Sequence, residues 1–114
     1  MAEEMRSLKI KTGAVKRTTK EYLYYFIEQD KEQANLDKME ADSADIYDIK
    51  QQQNVVQESA MMIPETRKSL EALVLDLRSF MTDQGSSMDP DAEEVLQANE
   101  VLAAADKALS GAQS

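Results

Sequence analysis

The sequence predicts an all-α fold: an elongated antiparallel three-helix bundle with two long helices and a shorter third. Three observations lead there. Apolar residues recur at steps of three and four over two long stretches, the spacing that lines one face of a helix. Gly occurs three times and Pro twice in 114 residues, too little punctuation for many short strands and turns. Aromatic residues are 5% of the chain and Trp is absent, so the interior has to be built mainly from Leu, Ile, Val, Met and Ala, which favours helices packed side to side. A chain of this length is expected to form one core and one domain, 1–114.

The first helix is expected from about Ser7 to Ala41. Leu8, Thr12, Val15, Thr19, Tyr22, Phe26, Gln29, Gln33 and Leu36 share one face, apolar at its ends and polar at the two glutamines. Gly13 falls inside this pattern at a cost of roughly 1 kcal/mol relative to Ala, which calls for close packing there or a later helix start. Asp42, Ser43 and Asp45 then break the pattern and offer caps for a following helix, which reads as a tight turn.

The second helix is expected over about Asp45 to Thr82, with Ile46, Ile49, Gln53, Val56, Ala60, Ile63, Arg67, Leu70, Val74, Leu77 and Met81 on its inner face. Pro64 lacks an amide proton and crowds the carbonyl four residues earlier, which predicts a bend near Ala60 and not a break. Asp83-Gln84-Gly85-Ser86-Ser87 reads as a flexible connection, and Asp89-Pro90 as the cap and first position of a third helix over 90–110. Val95, Leu96, Asn99, Leu102, Ala103, Asp106 and Leu109 are expected on its inner side, with an end near Ser110-Gly111.

At about 1.5 Å per residue the three helices span roughly 50, 55 and 30 Å. The third therefore covers only the early half of the first and the late half of the second. Gln29, Gln33 and Gln53 fall in the uncovered two-helix end, which is expected to be the less stable one.

Composition narrows the chemistry. With no Cys there is no disulfide framework or thiolate site, and with no His the usual proton shuttle is missing, so catalysis is not expected and no cofactor is called for. No apolar run approaches the ~18 residues of a membrane span, and a cytoplasmic location is expected, with no membrane partner. Residues 1–20 carry six Lys/Arg against Glu3 and Glu4, a balance of +4, which leaves −13 on residues 21–114 for the total of −9. A body that acidic argues against general nucleic-acid binding. Asp89, Asp91, Glu93 and Glu94 miss the calcium-loop spacing and are expected to serve the helix dipole.

Three places stand out as contact surfaces. Lys9, Lys11, Lys16, Arg17 and Lys20 put positive charge near a helix start, against the macrodipole, which fits either steering of an acidic partner protein or a plain solvated face. Tyr22, Tyr24, Tyr25 and Phe26 cannot all face one core, so Tyr24 or Tyr25 is free to anchor a partner. Met61 and Met62 lie off the core stripe beside Pro64, where flexible side chains suit irregular packing or adaptable recognition.

Lys9-Ile10-Lys11-Thr12-Gly13-Ala14-Val15-Lys16-Arg17, Tyr47-Asp48-Ile49-Lys50 and Glu58-Ser59-Ala60-Met61-Met62-Ile63-Pro64, in this order and separation, resemble the tubulin-binding cofactor A (tubulin-specific chaperone A) family over roughly residues 8–80. The resemblance implies a cytoplasmic, cytoskeleton-associated three-helix bundle that captures β-tubulin folding intermediates by stoichiometric binding, on the route to the tubulin heterodimer. It implies no nucleotide, metal or other cofactor, further tubulin-folding cofactors as partners, and a monomer or a homodimer. On the matched motifs, Lys9, Lys11, Lys16 and Arg17 would steer the partner and Tyr47, Asp48, Glu58, Met61 and Met62 would touch it. The Ala-rich third helix departs from the family pattern. The competing readings are a generic coiled-coil or SNARE-like tether, which the polar seam would permit, and a structural helical dimer.

Overall fold

The computed structural model describes residues 2–111. Helix α1 runs Ala2–Ala41, α2 Ile46–Gln84 and α3 Glu93–Leu109, with a 3-10 turn at Gly85–Ser87 and no strand among the described residues. The molecule measures 63 × 20 × 18 Å, and its radius of gyration of 19.2 Å compares with roughly 13 Å for a compact domain of this length.

The turn between α1 and α2 has a defined chemistry. The Ala44 amide donates to the Met39 carbonyl at 3.0 Å and the Ser43 amide to the Glu40 carbonyl at 3.2 Å, which satisfies two carbonyls of the last turn in a Schellman arrangement. That motif needs a left-handed residue, here Ser43 at φ 55°. The Asp45 carboxylate then caps α2, Oδ1 accepting from the Tyr47 amide at 2.8 Å.

Helix α2 continues through Pro64 without dividing. The proline withholds an amide from the Ala60 carbonyl, a loss one turn does not propagate. Nearby, the buried Thr66 hydroxyl donates to the Met62 carbonyl at 2.7 Å, as Thr19 does to Val15 in α1.

The connection to α3 is more ordered than expected. Asp83 and Gln84 complete α2, and Gly85–Ser87 form a 3-10 turn closed by the Ser87 hydroxyl on the Gln84 carbonyl at 2.8 Å. Asp89 does not cap α3. Its carboxylate accepts from the Asp91 amide at 2.9 Å and its carbonyl from the Ala92 amide at 3.0 Å, so Asp89-Pro90 forms a turn in which Pro90 supplies the fixed φ. Helix α3 starts three residues later than expected, after Ala92.

The core lies where three helices meet. Leu8, Val15 and Tyr22 of α1, Leu70, Val74 and Leu77 of α2, and Val95, Ala98, Leu102, Ala105 and Ala108 of α3 are buried together. The inner face of α3 differs from the expected one by one residue: Ala98, Ala105 and Ala108 point in, while Leu96 (51% exposed), Asn99, Ala103 and Asp106 point out. Burying Asn99 and Asp106 would strand polar groups, and the small alanines let α3 settle closely. Asp106 reaches outward to pair with Arg78 of α2.

Arg67 closes the junction at the end of α3. Its Nη1 donates to the Tyr22 hydroxyl and its Nη2 to the Leu109 carbonyl, both at 2.9 Å, and its Nε lies 3.5 Å from Glu71. One guanidinium thus ties α1 to α2 and satisfies a terminal carbonyl of α3.

Beyond that junction Leu36 alone is buried among the described residues. The crossing polar residue is Gln52, not Gln53: its amide donates to the Glu32 carbonyl at 2.9 Å and to the Glu32 carboxylate at 3.1 Å. Gln33 is exposed and bonds Asp37 on its own helix. Ile46, expected on the inner face, is 75% exposed, because the seam opens at Ile49 and steps by three to Gln52 before Val56.

Three stability measurements check this picture. Leu70→Ala should cost about 2–5 kcal/mol in chemical denaturation, and Ile46→Ala about 0.5 kcal/mol or less. Ser43→Gly relieves a left-handed backbone and should raise stability by about 1 kcal/mol.

Candidate functional site

The expected contact residues do not converge on one pocket. They fall at three stations along the rod.

The first station is the N-terminal half of α1. Lys9, Lys16, Arg17 and Lys20 are exposed, and none of the four is in an ion pair among the described residues. Lys11 stands apart from them. Its ammonium lies 2.7 Å from Asp76 of α2 and 5.7 Å from the centroid of the Phe80 ring, so it pins α1 to α2. Because α1 begins at Ala2 and carries Glu3 and Glu4 in its first turn, the basic residues stand deeper in the helix than expected. The macrodipole falls off within a turn, so mutual repulsion, not the dipole, is what they work against. Between α1 and α3, Lys9, Lys16 and Lys20 face Glu94 and Glu100 across a groove of about 580 Å³ floored by Thr12, Gly13, Leu23, Val101 and Ala104.

The second station lies between α1 and α2, at the upper edge of the three-helix part. Met61 (65% exposed) and Met62 meet Tyr24 and Tyr25 in an open groove of about 470 Å³, with Val55 and Ser59. The tyrosine rings are 6.0 Å apart and inclined at 62°. Glu58 joins Glu28 and Glu32 around this groove, so its charge is opposite to that of the first station. The Glu28 carboxylate raises the pKa of the Tyr24 phenol above the usual tyrosine value, first by hydrogen bonding and then by its charge.

The third station is the hairpin tip. Tyr47 is 80% exposed in the first turn of α2 and Asp48 beside it is exposed as well. Fourteen residues separate Tyr47 from Met61, about 21 Å along the helix.

Among the described residues no group of three or more His, Cys, Asp or Glu is placed to hold a metal ion, and no helix is long and apolar enough to cross a membrane.

A sequence model of a known family, described as tubulin binding cofactor A, matches residues 3–102. The chain belongs to that family. Human tubulin-specific chaperone A is 41% identical over 98 residues, covering 86% of this chain and 89% of the human one. Tubulin-folding cofactor A of Arabidopsis thaliana is 39% identical over 103 residues, covering 90% and 91%. The fold agrees equally well: the crystal structure of the Arabidopsis cofactor superposes with a TM-score of 0.83 at 37% identity, covering 94% of this chain and 99% of that one. Tubulin-binding cofactor A from Leishmania major gives 0.84 at 29% identity, covering 96% and 99%. The match to the cofactor A family model ends at residue 102, inside α3, where the sequence turns Ala-rich.

Within this family frame, sequence reasoning left three features unplaced. It treated Tyr24 and Tyr25 apart from Met61 and Met62, it did not single out Glu28 and Glu32, and it counted Arg67 only as a seam residue. Their cross-helix partners depend on the register of α1 against α2, which fixed spacing within either helix does not contain.

The Tyr24–Glu28 pair gives a pH signature. A raised phenol pKa means the contact contributes below the ordinary tyrosine value and is lost as pH rises through the raised one. Glu28→Gln should therefore let Tyr24 ionise at lower pH, visible as an earlier alkaline transition of its ring-carbon chemical shift.

Proposed function

We propose that this protein is a tubulin-folding cofactor of the cytoplasm that captures β-tubulin folding intermediates by stoichiometric binding, in association with the cytoskeleton. Membership of the tubulin binding cofactor A family is the observation that carries this reading. The surface agrees with it in kind, since a holder of a large subunit needs extended contact and the candidate residues are strung along a 63 Å rod. No covalent step is involved, and other tubulin-folding cofactors are the expected recipients of the captured chain.

In this reading Lys9, Lys16 and Arg17 guide the encounter, since charge on an exposed face raises association rates. Lys11 acts with them only through its share of the field, being engaged with Asp76. Tyr47, Asp48, Glu58, Met61 and Met62 make the hold, with the methionines supplying adaptable apolar area beside the tyrosines.

Co-purification with β-tubulin, against α-tubulin and actin as controls, tests the partner. Retention of β-tubulin above the controls is expected, and equal retention of all three would refute a dedicated holder. Within that assay, Met61→Ala with Met62→Ala should weaken β-tubulin binding about tenfold while leaving the thermal midpoint unchanged.

A further inference from the structure

Gly13 lies deep inside α1, and nothing among the described residues accounts for it. The helix starts at Ala2, so Gly13 does not mark a boundary. A Cβ built there would meet only the Nη1 of Arg17 at 3.5 Å, an ordinary contact with the tip of a flexible side chain. The close packing that a mid-helix glycine normally serves is absent, yet the chain bears a cost of helix propensity relative to Ala.

The surroundings of Gly13 bear a second cost. Lys9, Lys16, Arg17 and Lys20 stand at i−4, i+3, i+4 and i+7 from it, all exposed and none in an ion pair among the described residues. Lys16 and Lys20 are one turn apart, Arg17 and Lys20 three residues apart, and like charges at these spacings repel. Two unfavourable features, a bare backbone and a ring of unpaired cations, thus coincide on one patch. Lys9, Gly13, Lys16 and Lys20 line the groove between α1 and α3, whose floor offers Leu23, Val101 and Ala104, and the tip of Arg17 stands over Gly13 at its edge.

We propose that this groove receives an acidic polypeptide segment of the captured partner, which lies directly against the Gly13 backbone and places its carboxylates on Lys9, Lys16, Arg17 and Lys20. The inference deepens the partner-holding reading and rests on it for the identity of the partner. Charge complementarity selects the occupant. Glu94 and Glu100 stand on the opposite rim, so the segment turns its acidic side toward α1 and its uncharged side toward α3. A polypeptide can be two-sided in this way. A nucleic acid carries a phosphate at every unit, and would meet both Glu94 and Glu100 and the −13 balance of residues 21–114. Gly13 is what allows contact to be close, because any side chain there would stand between the four cations and lift the segment away from them.

The test uses the full chain and a fluorescent peptide of alternating glutamate and serine, acidic on one side only when extended, at low salt. Gly13→Leu keeps every charge and improves helix propensity, so it separates proximity from electrostatics. The expected result is a loss of peptide affinity of at least tenfold in Gly13→Leu, and a smaller loss in Gly13→Ala, with thermal midpoints at or above that of the parent. Lys16→Glu with Lys20→Glu should lose affinity comparably and flatten its salt dependence. Parent-like binding by Gly13→Leu, indifference to the charge reversal, or no binding by the parent chain would each overturn the proposal. The same variants are then offered β-tubulin. If the parent binds the peptide but does not retain β-tubulin, the tubulin reading fails and the groove assignment stands.

Discussion

The structure depends on a mismatch of length, and on the one side chain that manages it. Helix α3 has 17 residues against 40 and 39 for its neighbours, so it can brace only part of the hairpin. Where it stops, its last carbonyls need partners and the three-helix core needs an edge. Arg67 supplies both, since its guanidinium bonds the Leu109 carbonyl and the Tyr22 hydroxyl in one plane of donors. A lysine could not reach two acceptors on two helices with the same fixed fork. On one side of Arg67 lie nearly all the buried apolar residues, and on the other two helices hold together through Leu36, partly buried residues such as Ile49 and Val56, and the Gln52–Glu32 bonds. The rod is therefore strong at one end and lightly held at the other.

Much of this arrangement could be read in the sequence, and the reasons it could not be read further are physical. The stripe Leu8, Thr12, Val15, Thr19 and Tyr22 was legible because its members recur at steps of four and three, and Leu8, Val15 and Tyr22 anchor the phase of the two threonines between them. In α3 the same reasoning slipped by one residue, since alanines at 98, 103, 104, 105 and 108 surround the helix and periodicity alone has little to choose between. The hidden cost of burying Asn99 and Asp106 was the better guide. Asp89-Pro90 has the composition of a helix start, yet it forms a turn of its own, because a carboxylate that can accept one amide locally does not distinguish a turn from a cap. Gln53 and Gln52 are neighbours in sequence, and only the stagger of α1 on α2 decides which of them crosses.

The candidate site was legible as residues and not as places. Three motifs named the segments, but their separation into stations follows from helix length, which turns fourteen residues into about 21 Å. The pairing of Met61 and Met62 with Tyr24 and Tyr25 follows from the antiparallel register, whose other markers are Lys11 with Asp76 and Arg67 with Tyr22. Lys11 shows the limit most plainly. By type and spacing it belongs with Lys9 and Lys16, and by geometry it is a bolt between two helices.

The polarity of α1 has a consequence for how a partner is held. The groove beside Gly13 is lined on the α1 side by residues 9, 13, 16 and 20, and the groove beside Met61 by residues 24, 28 and 32. At about 100° per residue these two sets occupy flanks of the helix whose centres lie about a quarter-turn apart, and they succeed one another along it. The first flank is basic and the second acidic. A partner that spans both meets a change of sign along the rod, and reversing its direction would set like charges against each other at both places. Such an arrangement distinguishes the two orientations of a long contact even when neither groove alone binds tightly, which is how charge contributes register to a hold whose strength comes from buried apolar area.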